Sequence, residues 1–246
     1  MEEFVYFKKF SLITVCYDRW YHLQHVIKSW FVQDYPNIEL IVVIGGEDDS
    51  PLQIVQSENF RGTVVRIRNA SCYRPSYMRN VGAMVSQGEM LGFVDSDIEL
   101  SRYWVSYCVK QLKHYDIVAN ENTLNEQDAG GCTGTQSIQR WLFERIHGYN
   151  ENLDYAWGYE DTDLLIRAQR AGGKPTGYAL SMIRHIRHND DVRKRHFTNK
   201  QLIPRSPKIF MQHLDTCRHD AEVHPYEANR VRRLTFPSDE ITKITK

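Results

Sequence analysis

The sequence predicts an α/β fold, a mostly parallel sheet with helices on both faces. Short apolar runs rich in β-branched residues recur at 11–16, 38–44, 63–67 and 90–94. Amphipathic or capped helical segments separate them, and several runs stop abruptly at a polar cluster. A chain of 246 residues can bury a sizeable core, and 41% hydrophobic with 25% charged residues is ordinary for a soluble globular protein.

Taken in order, SLITVC at 11–16 reads as a buried strand. Asp18 follows as an N-cap, and Leu23, Val26, Ile27, Trp30 and Phe31 fall on one helical face. Pro36-Asn37 breaks that helix before IELIVVI at 38–44, a second buried strand leading into the acidic turn GGEDDSP. Residues 63–67 give a third strand, 75–87 a helix carrying Arg79-Asn80, and 90–94 a fourth strand ending at Asp95-Ser96-Asp97. A helix over 102–114 and a short strand at 117–119 come next. Residues 121–134 form a polar loop whose Gly130-Gly131 pair would let backbone approach a ligand. Ile138, Trp141, Leu142 and Ile146 mark another helix. WGYEDTD at 157–163 opens the last helix, which Gly172-Gly173 stops, with Asp161 as N-cap and Asp163 as a first-turn acid. A strand over 177–183 delivers RHIRHNDD, and the remainder is basic and weakly periodic.

Composition narrows the function. Zero formal net charge argues against a protein devoted to nucleic acid, while 12% aromatic residues favour flat polar partners such as sugars. Cys16, Cys72, Cys108, Cys132 and Cys217 show no paired spacing, which suits a reducing compartment. The acidic N-terminus is unlike a signal peptide, and no apolar run approaches the roughly 20 residues of a membrane span. A cytoplasmic, soluble protein is the expectation. The basic stretch after Asp191 could touch a membrane surface or an anionic acceptor, or be ordinary solvated surface.

In a parallel sheet, ligands bind beyond the carboxyl ends of the strands, at the topological switch point. Asp18-Arg19, Glu47-Asp48-Asp49 and Asp95-Ser96-Asp97 fall there, with no Gly-x-Gly-x-x-Gly or P-loop. Asp95 and Asp97 share a face of an extended segment, so both could approach one divalent ion, although short acidic loops also cap helices. His185 and His188, with Met182 just upstream, add imidazole to carboxylate. That combination suits manganese, with zinc as an alternative, and a solvated surface is the plainer reading. Asp161 is placed to act as a general base, with Glu160 or Asp163 for acceptor hydroxyls and Trp157 to stack on a sugar.

These residues resemble a known family. SLITVCYD, IELIVVIGGED, Tyr77-Met78-Arg79-Asn80-Val81-Gly82-Ala83 and GEMLGFVDSDIEL are similar to the GT-A glycosyltransferases of the family-2 type. GGCTGTQSIQRWLFERIHGYNENLDYAWGYEDTDLLIRAQRAGG and MIRHIRHNDDVRKRH resemble the C-terminal half of the β-1,4-galactosyltransferases and bacterial chondroitin-type polymerases. The resemblance implies a Rossmann-like GT-A fold with an acceptor-binding C-terminal part, and an inverting enzyme using a UDP-sugar, manganese and a glycan acceptor. It gives Asp97, Met182 and His185 to the metal, with His188 a further candidate. Asp161 becomes the catalytic base, Glu160 its acidic neighbour, and Trp157 a mobile cover over donor and acceptor. Arg79 and Arg19 would contact the nucleotide or its diphosphate, with Asp18 and Asp95 beside them. Here Ile44-Gly45-Gly46 intervenes before any acid that could read uracil, so Glu47 or Asp48 would substitute. Tyr159 stands where galactosyltransferases commonly have Gly, and Thr162 replaces an acid.

The expected organisation is one catalytic domain over 1–200, with a nucleotide-sugar half to about 119, an acceptor half beyond it, and an extension over 201–246. Two other functions compete. A non-catalytic glycan- or nucleotide-binding module would not need Asp97, Asp161 and His185 together. A nucleotidyltransferase would want a Gly-rich basic loop after the first strand, which Val15-Cys16-Tyr17-Asp18-Arg19 is not.

Overall fold

The computed structural model describes residues 8–17, 19–58, 60–68, 73–125, 132–155, 158–188 and 241–245. β1 (Phe10–Tyr17) is buried throughout because it serves two cores. Phe10, Leu12 and Cys16 join one core, while Ile13, Val15 and Tyr17 join the other, as the two-residue period of a strand dictates. α1 (Trp20–Phe31) follows and packs Leu23, Val26, Ile27 and Trp30 into the first core. β2 (Ile38–Gly45), α2 (Ser50–Ser57) and β3 (Thr63–Ile67) continue the alternation. α3 (Pro75–Val85) covers the opposite face with Met78 and Val81. It lies so close to β1 that a Cβ on Gly82 would meet Ile13 Cγ2 at 2.4 Å. Each large apolar side chain buried this way contributes roughly 1.5–3 kcal/mol of transfer free energy.

β4 (Met90–Asp95) and β5 (Ile98–Leu100) bracket the Ser96-Asp97 turn. α4 (Trp104–Gln111), β6 (Ile117–Asn120), α5 (Glu121–Leu124), β7 (Gln136–Gln139) and α6 (Arg140–Arg145) follow. A 3-10 turn (Glu151–Tyr155) precedes α7 (Glu160–Arg170). Then come β8 (Pro175–Tyr178), a second 3-10 turn (Leu180–Met182), β9 (Ile183–His185) and β10 (Ile241–Thr245).

Among the described residues the main sheet has eight strands in the order β10-β3-β2-β1-β4-β7-β6-β8. β3, β2, β1 and β4 are mutually parallel, as are β6 and β8, whereas β7 and β10 run antiparallel to their neighbours. The expected mostly parallel sheet is therefore present, with an antiparallel insertion. Strand order turns back at β1 and β4, so their carboxyl ends flank the switch-point crevice. β5 and β9 form a separate antiparallel pair that places Ile98 opposite His185. Among the described residues no helix is long and apolar enough to cross a membrane.

Several boundaries differ from expectation. The helix expected around Ile138 is β7 followed by the short α6. Gln136 and Gln139 are buried through hydrogen bonds, Gln136 Nε2 to Tyr149 Oη at 3.2 Å and Gln139 Nε2 to the Leu112 carbonyl, so a polar strand runs through the interior. The strand expected over 177–183 is β8, a 3-10 turn and β9 in succession. The acidic turn after β2 leads into α2, whose start Asp48 serves by accepting from Ser50 N at 2.9 Å. α4 is shorter than the helix expected over 102–114. At α7 the N-cap is Tyr159, in the left-handed region at φ 72, and Asp161 lies inside the first turn.

Candidate functional site

The site is assembled from strand ends. β4 ends at Asp95, and the turn into β5 carries Asp97. Because β5 pairs with β9, His185 is brought to the same place, and Ile186 N extends the ladder by donating to the Asp97 carbonyl at 2.8 Å. His188 follows, its Nε2 2.9 Å from Asp97 Oδ2, with His185 Nε2 at 3.8 Å from the same oxygen. Arg19, at the start of α1, donates from Nη1 to that oxygen at 2.8 Å. Burial alone would raise the Asp97 carboxyl. The imidazoles of His185 and His188 and the charge of Arg19 outweigh burial and hold it well below the usual carboxylate range.

Asp97, His185 and His188 can offer one ligand atom each, all within 4.8 Å of one another. Their chemistry fits a borderline divalent ion. The buried His185 Nε2 has no hydrogen-bond partner, as an imidazole nitrogen aimed at an ion would not. Met182 instead packs against the first apolar core, and its carbonyl accepts from Ser101 N at 2.8 Å.

Asp95 faces elsewhere. Its Oδ1 accepts from Arg79 Nη2 at 2.6 Å, while Arg79 Nη1 donates to Glu160 Oε1 at 2.7 Å. Arg79 is buried over the Tyr149 ring, with 5.2 Å to its centroid. One guanidinium thus clamps the end of β4 to the start of α7. It cannot neutralise every acid nearby. Burial, together with the charge of Asp161, raises the Glu160 carboxyl to about 7 against the opposing charge of Arg79. Asp95 is raised as well, by burial first, against the pull of Arg79. A Cβ on Gly134 would meet Asp95 Oδ2 at 2.4 Å and Arg79 Nη2 at 3.0 Å, so glycine lets β7's approach close over the clamp.

Asp161 belongs to the same acidic group and is nearly buried, its Oδ1 accepting from Thr162 N at 2.7 Å. Asp163 does not. It is fully buried and accepts from Arg167 Nε at 2.7 Å, which corrects the expectation that it could bind acceptor hydroxyls. Neighbouring Asn80 is also structural, exchanging hydrogen bonds with the backbone of Tyr149 at 2.8 and 3.0 Å. Of the acids after β2, Asp48 accepts from Ser50 N at the start of α2 and Glu47 is exposed. Asp18, Trp157, Gly130, Gly131 and the basic stretch after Asp191 lie outside the described residues.

Sequence reasoning missed His22. It lies on the buried side of α1, with its ring centroid 5.0 Å from that of His188, and burial lowers its pKa. Its signal was available: a histidine directly before Leu23 on the apolar face.

The profile of glycosyl transferase family 2 matches residues 11–163, a span that includes Asp97, Glu160 and Asp161 and ends before His185. None of the curated proteins matches this chain in sequence. Solved structures share the fold. TarS 1–349 from S. aureus, in complex with UDP-GlcNAc, superposes with a TM-score of 0.57 at 19% identity, over 69% of this chain and 56% of that one. The chain thus spans little more than half of that fragment. The mannosyltransferase PcManGT from Pyrobaculum calidifontis, in complex with GDP-Man and Mn2+, gives 0.63 at 14% identity, over 90% of this chain and 72% of that one.

Proposed function

The chain belongs to glycosyl transferase family 2; from that premise we propose that it is an inverting, metal-dependent glycosyltransferase. In this reading it moves a hexose or N-acetylhexosamine from a UDP-sugar to a carbohydrate hydroxyl. The observation that carries it is the convergence of Asp97, His185 and His188 at the switch-point crevice, with Asp161 in the acidic group beside it. The donors held by TarS and PcManGT support a nucleoside diphosphate sugar, and PcManGT supports Mn2+.

Asp97, His185 and His188 would hold the ion. We assign the third position to His188 rather than Met182, because Met182 packs against the apolar core. When bound, a divalent ion neutralises charge developing on the departing diphosphate. Asp161 takes the proton of the acceptor hydroxyl as its oxygen bonds to the anomeric carbon and the bond from that carbon to the diphosphate oxygen breaks. Glu160, held by Arg79, orients the acceptor beside it. Glu47, exposed after β2, would be the acid that reads the base. The nucleotide half to about residue 119 and the acceptor half beyond it would meet at the Arg79 clamp.

A thermal-shift panel of nucleotide sugars, with and without Mn2+, tests this reading. One UDP-sugar should raise the melting temperature only with Mn2+, and Asp97→Ala should abolish the shift. Asp161→Asn should keep the shift and lose transfer. A protein that no nucleotide sugar stabilises under any metal would overturn the reading.

A further inference from the structure

Asp97 Oδ2 is contested. Arg19 Nη1 donates to it at 2.8 Å, and His188 Nε2 and His185 Nε2 lie 2.9 and 3.8 Å from it. A carboxylate oxygen offers about two lone-pair directions. Arg19 Nη1 and His188 Nε2 already hold both, and a divalent ion taking this oxygen would face the like charge of the guanidinium, so binding an ion favours the withdrawal of one group.

The guanidinium is the group able to do so. His185 is fixed by the β5–β9 ladder, and the His188 ring is packed between those of His22 and His185, with centroids 5.0 and 5.6 Å away. Arg19 stands between β1 and α1 with non-helical backbone (φ −111, ψ 40). Its long side chain keeps 14% exposure where that of His188 keeps 3%. A planar fork of donors that satisfies a carboxylate satisfies a diphosphate equally well. Arg19 is also placed for one, since it leaves the carboxyl end of β1 at the switch-point crevice.

We propose that Arg19 is an exchangeable counter-ion. It neutralises Asp97 until a divalent ion binds Asp97, His185 and His188, and it then pairs with the diphosphate of the donor. The proposal rests on the nucleotide-sugar reading above and adds a coupling to it. Ion binding frees a guanidinium whose charge the donor satisfies, and a donor that attracts Arg19 opens Asp97 to the ion. Such coupling is reciprocal by necessity.

Mn2+ binding to the full chain, read from loss of the free-ion EPR signal, tests the exchange in the parent, Arg19→Met and Arg19→Lys without nucleotide. UDP and GDP are then titrated by calorimetry at saturating Mn2+. Arg19→Met should bind Mn2+ at least about fivefold more tightly, because no guanidinium has to be displaced. It should bind the preferred nucleotide about tenfold or more weakly, the cost of a lost charge-assisted hydrogen bond. Arg19→Lys keeps the charge and loses the fork, so it should fall between the two on both counts. It also keeps the test open if Arg19→Met folds poorly. Unchanged or weaker Mn2+ binding by the folded variants overturns the exchange, as does unchanged nucleotide affinity. In either case a parent that binds both ligands leaves the transferase reading standing. A parent that binds neither removes that reading and this proposal together.

Discussion

Asp161 and Asp163 stand two residues apart in the first turn of α7, and the proposed mechanism gives them opposite tasks. Asp163 accepts from Arg167 Nε at 2.7 Å, and Arg167 Nη1 donates to the Ile146 carbonyl at 2.7 Å, tying α7 to the end of α6. Both side chains are almost wholly shielded from solvent, at 0% for Asp163 and 1% for Arg167. Asp163→Asn keeps the shape and removes the charge opposite a buried guanidinium. Removing one partner of a buried pair costs about 3–5 kcal/mol. At roughly 2–4 °C per kcal/mol for a protein of this size, Tm should fall by about 6–20 °C. Replacing both partners with apolar groups, Asp163→Leu with Arg167→Met, leaves no orphan charge and should recover much of that loss. Asp161→Asn is the converse. Its Tm should stay near the parent's while turnover falls by about 10²-fold or more, the usual worth of a general base. Thermal melts of all four proteins, with transfer rates measured well below the lowest Tm, decide the matter. If Asp163→Asn melted with the parent and raised the acceptor KM, Asp163 would be a binding group and the scaffold argument wrong. A double variant no better than the single would refute the ion-pair reasoning.

Gly134→Ala pushes a methyl into Asp95 and Arg79, so it should lower stability by about 1–3 kcal/mol and slow transfer, read by melting and by initial rates. Burial and the charge of Asp161 raise Glu160 to about 7, so the folded state holds its proton more tightly than the unfolded chain. Its contribution to stability is full below the ordinary glutamate range of about 4.3 and is lost as pH rises through about 7. Melts between pH 4.5 and 8 should therefore show Glu160→Gln flattening that part of the parent's decline. Asp154 accepts from the backbone N–H of Ser76 at 2.8 Å and of Tyr77 at 3.0 Å, at the start of α3. Asp154→Ala should cost about 1–2 kcal/mol in a urea titration without changing Mn2+ affinity.

The parallel half was legible because β1, β2, β3 and β4 are apolar runs bounded by breakers, and buried strands of a parallel sheet read that way. β7 was not. Its sequence is QSIQ, and it is buried by hydrogen bonding rather than by apolar character, so hydropathy carries no trace of it. Asp97 and the histidines were each visible as residues with suitable chemistry, yet their meeting depends on β5–β9 pairing between two three-residue strands too short to predict. Asp163 was misread because an acid in a first turn suits either role. Arg167, four residues on, was the available sign of a helical ion pair. The clamp at Arg79 was hidden for a related reason: an arginine flanked by Met78 and Asn80 gives no hint that it will be buried between two acids.

The β5–β9 pairing also sets when, during folding, the proposed ion would be captured. Asp97 and His188 are 91 positions apart in the chain, and β6, β7, α7 and β8 lie between them. Bringing such distant segments together spends loop-closure entropy before any contact repays it, so these contacts form after local ones. β1, β2 and β3 can zip with near neighbours, but Asp97 has neither His185 nor His188 beside it until β9 docks. In a refolding experiment, quenching of the Mn2+ signal should therefore appear with the slowest phase, after most strand circular dichroism has returned. An ion held by segments this far apart acts as a late latch, adding its binding energy only to chains that have completed the fold.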